Sequence, residues 1–389
     1  MKMRRVVFWL HLGVGVTVGL FVLMLSATGV LLTYERQIVA WAENSAVSAS
    51  SGRVRLDPDA LVARAVALGA RAGHSLSVER DPAAAVRVLS GRRTQFLIDP
   101  FTGARLEGAG DSARDVFRFI TTIHRWLAMS GEHRSLGRAL TGAANLGFLF
   151  LLVSGAWLWW PRLWRWPLLR HKLLLARDCP NSKARDYNWH QVFGAWAILP
   201  LLAIVVSGVV ISYRWAGDLV FRLYGETVSA RAQGGEGGPG RSERPAAAGG
   251  GRAGTNRRAG SVPAAPYAGV FAAAAAAVPD HRRLVLRLGP AGARTMQVVA
   301  DAGNGVQFDK QTRLSIAAAD GTILARETNP GRTPAARARG FLRFLHTGEV
   351  FGWIGQTVAG LVSLATLVLV YTGLALAWRR FFAPRRGSA

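Results

Sequence analysis

Cysteine and acidic residues are scarce in this sequence, and each scarcity excludes a class of site or partner. Cys179 is the only cysteine among 389 residues, so an internal disulfide, a Cys-ligated iron–sulfur cluster and a Cys₄ zinc site are impossible. Asp and Glu number 23 against 48 Lys and Arg, a net charge of +25. Such a charge would suggest a nucleic-acid partner in a soluble protein. Here the basic clusters flank long apolar runs, so we expect no nucleic acid.

Charged residues are missing from the middle of four apolar runs, which cover 6–32, 139–160, 189–213 and 351–378. About 20 apolar residues are needed to cross the hydrocarbon core of a bilayer, so each run predicts a transmembrane helix. The first run is too long for the apolar region of a signal peptide and lacks a clear small-residue cleavage site. We therefore expect it to be a retained span.

Basic residues are concentrated on one side of these runs. They precede the first run, fill the connection between the second and third, and follow the fourth. The positive-inside rule makes this side cytoplasmic. The sequence therefore predicts a multi-pass protein of the bacterial inner membrane, in contact with lipid, with both termini in the cytoplasm. Residues 33–138 and 214–350 would then lie in the periplasm.

Both outer segments show short patterns that are typical of small α+β modules. The helix-like and strand-like runs cover 58–72, 86–89 and 95–98 in the first segment and 268–278, 284–288, 295–299 and 314–318 in the second. The stretch 230–265 is rich in Gly, Ala, Arg and Pro. Because it cannot bury enough apolar surface to fold, we predict a flexible linker there.

The chain is predicted to divide where these runs begin and end. In order, the parts are transmembrane helix 1 in 1–34, a periplasmic module in 35–123, a lead-in and helix 2 in 124–161, a cytoplasmic loop in 162–187, helix 3 in 188–214, a periplasmic segment with the linker and a second module in 215–345, a lead-in and helix 4 in 346–380, and a cytoplasmic tail in 381–389. The predicted fold is thus a four-helix transmembrane bundle with two small periplasmic α+β modules.

The spans match one another at constant offsets. At an offset of 179 residues, His11 falls on His190 and Tyr34 on Tyr213. At an offset of 218 residues, the second and fourth spans align through three glycines each: Gly137, Gly142 and Gly155 fall on Gly355, Gly360 and Gly373. The chain therefore looks like two copies of a unit that consists of a span, an outer module and a second span.

This repeat would arrange four histidines as two pairs. His11 and His190 lie near the cytoplasmic ends of their helices, and His124 and His346 lie just outside the outer ends of theirs. A helical bundle with facing imidazoles can hold haem, whose iron takes an axial ligand from each side. The pattern indicates two bis-histidine haem sites, one toward each face of the membrane.

Other interpretations of the same residues, including purely structural roles, remain open. Each histidine could be an interfacial or hydrogen-bonding residue beside glycines that only allow close helix packing. His133 follows His124 and could replace it as a ligand, and Arg125 could pair with a haem propionate. A zinc or copper site is disfavoured because no carboxylate or cysteine joins the histidines at ligand spacing. Packing or back-bonding to the preceding turn explains the hydroxyl residues of the spans, Ser26, Thr28, Ser154, Ser207 and Thr372.

Several motifs resemble those of the PepSY-associated transmembrane family over nearly the whole chain outside the Gly-rich stretch. They are His124-Arg125-Trp126-Leu127, Ser154-Gly155 followed by Trp159-Trp160-Pro161, Asn188-Trp189-His190, and His346-Thr347-Gly348-Glu349-Val350-Phe351-Gly352. The run Ile98-Asp99-Pro100-Phe101-Thr102-Gly103 is similar to the closing strand and turn of a PepSY domain.

The resemblance implies both an activity and a ligand set. Some members of the family are ferric-siderophore reductases that carry b-type haem on transmembrane histidines. The matching positions here, implied as ligands of the haem iron, are His11, His124, His190 and His346. No catalytic side chain is implied. Other members of the family have no assigned activity.

The sequence favours a transmembrane electron conduit that reduces a periplasmic ferric chelate, such as a ferrisiderophore, and so releases Fe(II). No G-x-G-x-x-G fingerprint follows a strand on the cytoplasmic side, so the electron donor would be a quinol or a separate cytoplasmic reductase. The alternative is a non-enzymatic membrane protein whose PepSY modules bind a periplasmic peptide or protease. A transporter is disfavoured because the spans have no charge at mid-membrane.

Overall fold

The computed structural model describes residues 2–48, 54–91, 93–161, 163–226, 266–328 and 333–382. The predicted linker 230–265 and the end of the predicted tail, from residue 383, lie outside these ranges. The chain divides into two compact units. The first contains Met1–Glu35, Asp115–Gly225 and Ala338–Ala389, and the second contains Arg36–Arg114 and Glu226–Arg337.

Eleven helices and seven strands are formed by the described residues. The helices are α1 (Lys2–Leu32), α2 (Glu35–Asn44), α3 (Pro58–Ala67), α4 (Asp111–Trp126), α5 (Arg134–Trp159), α6 (Trp166–Leu173), α7 (Ser182–Ser212), α8 (Arg214–Leu223), α9 (Tyr267–Ala277), α10 (Pro334–His346) and α11 (Gly352–Phe382). The strands are β1 (Ser75–Glu79), β2 (Val86–Ser90), β3 (Arg93–Ile98), β4 (Arg283–Arg287), β5 (Thr295–Asp301), β6 (Gln311–Ala317) and β7 (Ile323–Thr328).

The four predicted spans are confirmed as the long helices α1, α5, α7 and α11, each long and apolar enough to cross a membrane. Helices α1 and α7 each pack against both α5 and α11, so α1 and α7 occupy opposite corners of a four-helix bundle. Its centre is a buried aliphatic cluster of Leu152, Ala197, Leu201, Val205 and Val362. Small residues allow the helices to approach closely, as where Gly19 faces Leu374.

Two shorter helices, α4 and α10, precede spans of the bundle, and the chain turns sharply after each of them. After α4, Leu127 and Ala128 both have positive φ, 54° and 59°. The chain then passes so near Gly137 that a Cβ there would lie 2.2 Å from the carbonyl oxygen of Trp126. After α10, a Cβ on Gly355 would lie 2.2 Å from the carbonyl oxygen of Gly348. Only glycine fits at these crossings, and they fix where α4 and α10 end.

The second unit is built on one antiparallel sheet of seven strands in the order β3-β2-β1-β4-β5-β6-β7. Helices α3 and α9 lie together and cover it, with α9 against β4, β5 and β6. Asp57 caps α3 by accepting a hydrogen bond from the amide of Ala60, which offsets an unpaired amide of the first turn. The Asp59 carboxylate accepts a hydrogen bond from the Tyr267 amide at the start of α9.

The sheet corrects our prediction of two separate modules. Strand β1 of the first segment pairs with β4 of the second, with Leu76 opposite Leu286. Both leucines are fully buried and belong to one hydrophobic core shared by the two segments. The physical reason is that a sheet of three strands in the first segment and four in the second would each leave edges and an apolar face exposed. Joining the segments at β1 and β4 covers both.

Two strands were not predicted. Strand β1 contains Ser75 and Ser77 and was too polar to stand out, although Ser77 is buried between its partners. Strand β7 is exposed along all six residues, so it lacks the alternation of buried and exposed positions on which the prediction relied. The remaining predicted runs coincide with α3, β2, β3, α9, β4, β5 and β6 to within a few residues at their ends.

Candidate functional site

All four predicted histidines are held at Nδ1 by a neighbouring helix of the bundle. His11 of α1 lies 2.8 Å from the Ser154 hydroxyl of α5. His124, near the end of α4, lies 2.8 Å from the Thr28 hydroxyl of α1. The structure therefore anchors each of these two rings on a helix other than its own.

The other two histidines are anchored in the same manner. His190 of α7 lies 3.0 Å from the Thr372 hydroxyl of α11. His346, the last residue of α10, lies 2.8 Å from the carbonyl oxygen of Ile204 in α7 and 3.5 Å from the Ser207 hydroxyl.

These contacts define which ring nitrogen carries the proton. A carbonyl oxygen only accepts, so His346 must donate from Nδ1 to Ile204. The hydroxyls of Thr28, Ser154 and Thr372 each donate to a carbonyl one turn earlier in their own helix, at 2.7 Å. Because each hydroxyl proton is donated to that carbonyl, the hydroxyl oxygen accepts a hydrogen bond from the Nδ1–H of the histidine. In its neutral form, each ring therefore carries its proton on Nδ1 and leaves Nε2 unprotonated.

The Nε2 atoms are available as ligands. Within the described chain, no hydrogen bond involves the Nε2 of any of the four rings. An imidazole that donates from Nδ1 to a protein acceptor and offers the Nε2 lone pair is the arrangement found at histidine metal ligands.

A glycine lies beside each histidine ring. Cβ atoms added at Gly155 and Gly373 would lie 3.3 Å from Cε1 of His11 and of His190. For His346, a Cβ on Gly208 would approach Cε1 to 3.2 Å, while Gly29 leaves 3.9 Å at the His124 ring. A larger residue at Gly155, Gly208 or Gly373 would crowd the ring beside it, whereas the separation at Gly29 is an ordinary van der Waals contact.

The His124 and His346 rings face each other. Their centroids are 6.4 Å apart and their planes are inclined by 62°. Two imidazoles that bind one metal ion from opposite sides, each at about 2 Å, have centroids about 6 Å apart. This pair could hold a metal centre between the two Nε2 atoms.

His11 and His190 lie on α1 and α7, which occupy opposite corners of the bundle. Along the axis of the bundle, this pair lies at a different height from the His124 and His346 pair. Thr28, which holds His124, follows His11 in α1 by 17 residues, and Ser207 follows His190 in α7 by the same number. At 1.5 Å per residue, the two levels are about 25 Å apart.

Burial keeps the pair outside the spans neutral. Burial, together with the nearby His346 ring and the Arg125 charge, lowers the pKa of His124 to about 4. Burial also lowers the pKa of His346. Both rings are therefore uncharged at neutral pH, the form in which imidazole binds metals.

The other candidates do not share this geometry. His133 is exposed in a short 3₁₀ turn ahead of α5, and its side chain makes no hydrogen bond to the four rings. Arg125 lies beside His124 at the end of α4 and stacks on Trp126, with Cζ 4.8 Å from the ring centroid. In the described residues no group of three or more His, Cys, Asp or Glu gathers that could hold a metal ion, so the candidate sites are the two histidine pairs.

The hydroxyl residues are the part of the site that the sequence analysis missed. Packing and back-bonding were expected of them, and the back-bonds of Thr28, Ser154, Ser207 and Thr372 are present, but these four hydroxyls also contact a histidine. A signal was available: every span contains a Ser-Gly or Thr-Gly pair, at 28–29, 154–155, 207–208 and 372–373. These pairs follow the same offsets, 179 and 218, that relate the spans.

Comparison with known proteins assigns the chain as a whole. The family model described as the PepSY-associated TM region matches residues 8–380, which include all four long helices and both segments of the sheet. No curated protein matches the chain. The family match agrees with the resemblance in the sequence motifs. The chain therefore belongs to the PepSY-associated transmembrane family of multi-pass membrane proteins.

Proposed function

We propose that this protein is a haem b electron conduit of the bacterial inner membrane, which reduces ferric chelates such as ferrisiderophores in the periplasm. The observation that carries the proposal is the shared state of the four histidines, each donating from Nδ1 to a neighbouring helix and offering Nε2. Two such pairs, about 25 Å apart along the bundle, would serve the two faces of the membrane.

The residues present fit haem. His124 and His346 would hold the haem iron, and their ring centroids are 6.4 Å apart. The glycine beside each ring removes the side chain that would compete with a flat macrocycle for space. Haem, when bound, would supply an iron that accepts and gives one electron at a time.

The chain's own residues set the conditions for that chemistry. The hydroxyls of Thr28, Ser154 and Thr372 orient the rings and raise the basicity of Nε2 through the Nδ1–H bond. The aliphatic cluster around Leu201 and Val205 packs the centre of the bundle. An apolar centre excludes water and ions and so favours transfer of electrons alone.

We also propose the orientation and the repeat that the sequence predicts. The pair His11 and His190 would lie toward the cytoplasm, and His124 and His346 toward the periplasm. The contacts between helices support two repeats, because His11 with Ser154 corresponds to His190 with Thr372 at the offsets of 179 and 218. A quinol or a cytoplasmic reductase would supply the electrons, and each electron would convert one chelated Fe(III) to Fe(II).

The decisive experiment is an absorbance spectrum of protein purified from haem-replete cells, with haem quantified per chain. We expect two haems with the bands of bis-histidine b-type haem, reducible by dithionite and reoxidised by a ferric chelate. His190→Ala and His346→Ala should each remove one haem, whereas the exposed His133→Ala should remove none. A colourless protein would sink the redox proposal and favour a membrane-anchored module that binds a periplasmic peptide or protease.

A further inference from the structure

Three arginines lie beside the His124 and His346 pair. Arg125 follows His124 near the end of α4, and Arg134 and Arg138 lie one turn apart at the start of α5. Because residues four apart lie on the same face of a helix, Arg138 lies on the face of α5 that carries Arg134. Two separate helices thus bring positive charge to one place.

The buried ring of Trp126 holds two of these side chains in position. Its centroid lies 4.8 Å from Cζ of Arg125 and 3.7 Å from Cζ of Arg134. Such cation–π contacts fix guanidinium groups without neutralising them. The two charges are therefore oriented by the fold and remain available to an anion.

No carboxylate of the described chain forms an ion pair with Arg125, Arg134 or Arg138. The Nε of Arg134 is buried and has no hydrogen-bond partner. Elsewhere in the protein, buried charges are paired: Arg87 and Arg114 share Glu43, and Arg379 binds Asp186. Like charges that converge in a partly desolvated place, without a counterion, repel one another at a cost. An anion that bridges the guanidinium groups would remove this cost.

We propose that Arg125, Arg134 and Arg138 form a carboxylate-binding site beside the His124 and His346 pair. Guanidinium groups bind carboxylates through two parallel hydrogen bonds, so a ligand with several carboxylates would engage more than one arginine. Where the inference rests on the proposed function, the ligand is a ferric chelate that bears carboxylates. A haem propionate offers the same chemistry, and the experiment below separates the two sources.

The test uses the full-length protein in detergent and gallium citrate, a redox-inert stand-in for ferric citrate, titrated by calorimetry. The double variant Arg134→Gln with Arg138→Gln removes two charges of the site. Arg118→Gln with Arg214→Gln removes two exposed charges outside it and is the matched control. If a soluble chelate is the ligand, affinity for gallium citrate falls about tenfold or more in the first variant only, with haem content and spectrum unchanged.

If haem propionates occupy the site, gallium citrate does not bind the wild type, and the first variant loses haem or shifts the midpoint potential of one haem while the control does not. Either result supports a carboxylate site. Identical behaviour of the two double variants in both measurements would overturn it, as would loss of a co-purified phospholipid from the first variant without citrate binding. Because gallium binding needs no haem, a colourless protein that binds citrate contradicts the proposed function and leaves this site standing.

Discussion

At the scale of single residues, the protein's chemistry depends on small groups that are easily overlooked. A hydroxyl that donates to its own helix must accept from whatever lies opposite, and here a histidine lies opposite in three cases. In the neutral imidazole, the hydroxyl thus favours the tautomer with its proton on Nδ1, which leaves Nε2 able to bind a metal. A glycine next to each hydroxyl leaves the ring room to approach.

Removing one of these hydroxyls should weaken a haem site without removing its ligand. Ser154→Ala takes away the acceptor for His11 Nδ1–H, so the ring loses its fixed orientation. Loss of such a partner typically costs about 10–100-fold in metal affinity. Haem content during washing with apomyoglobin, a haem acceptor, measures the effect, and Ser154→Thr should restore retention because threonine serves His190 in the same position.

The control for this variant is Thr366→Ala. Thr366 is fully buried and also donates to a carbonyl one turn earlier, at 2.9 Å, but it contacts none of the four histidines. Equal haem retention in Ser154→Ala and Thr366→Ala would show that the hydroxyl does not position the ring.

At the scale of elements, the short helices α4 and α10 carry the second histidine pair, and backbone contacts fix their ends. Gly137 and Gly355 each lie at a carbonyl oxygen of the preceding turn, at a separation that no side chain tolerates. The positions of His124 and His346 therefore depend on glycines that are 13 and 9 residues further along the chain. His11 and His190 lie within long helices, so their positions need no such contact at a helix end.

We predict that Gly355→Ala displaces α10 and with it His346. Its Cβ would lie 2.2 Å from the Gly348 oxygen, and overpacking of this kind typically costs about 1–3 kcal/mol. Thermal unfolding followed by tryptophan fluorescence should show a lower midpoint, and haem analysis should show loss at the second pair. Gly13→Ala is the matched control, because a Cβ at Gly13 meets nothing within 4 Å. A stable variant with full haem content would contradict the assigned role of the crossing.

At the scale of the whole molecule, two units are built from alternating parts of the chain. The bundle takes three stretches and the sheet takes two, so neither unit is a continuous piece of sequence. The two segments of the sheet are joined only where β1 pairs with β4. The chain that connects these two strands passes through the bundle. Helices α5 and α7 of the bundle therefore lie between β1 and β4 in the sequence.

The proposed orientation can be tested with the single cysteine. Cys179 is half-buried in the connection between α6 and α7, on the side that the positive-inside rule assigns to the cytoplasm. A membrane-impermeant maleimide should label it in lysed cells and not in intact spheroplasts. Ser130→Cys in a Cys179→Ser background should label in spheroplasts, because Ser130 lies in the exposed turn after α4. The reverse pattern would invert the topology.

Much of this architecture follows from the sequence because the bilayer imposes a simple length and polarity requirement. Each of the four spans is recognisable in the sequence by an apolar run of at least about 20 residues. Constant offsets between the spans then single out the four histidines. Motifs such as Asn188-Trp189-His190 led to the family that the chain matches. These features are local or recur at fixed spacing, so they need no knowledge of how the chain packs.

Tertiary structure decided the rest, because the missing information lies in contacts between distant residues. Nothing local in Ser75–Glu79 shows that β1 will pair with β4, which begins 208 residues after β1 begins. The register, with Ser75 opposite Arg287, is a contact between the two strands and exists only once both have formed. Likewise, Ser154 is one hydroxyl among several until the bundle places it 2.8 Å from His11. Hydropathy determines that helices enter the membrane, whereas packing alone determines which side chains meet there.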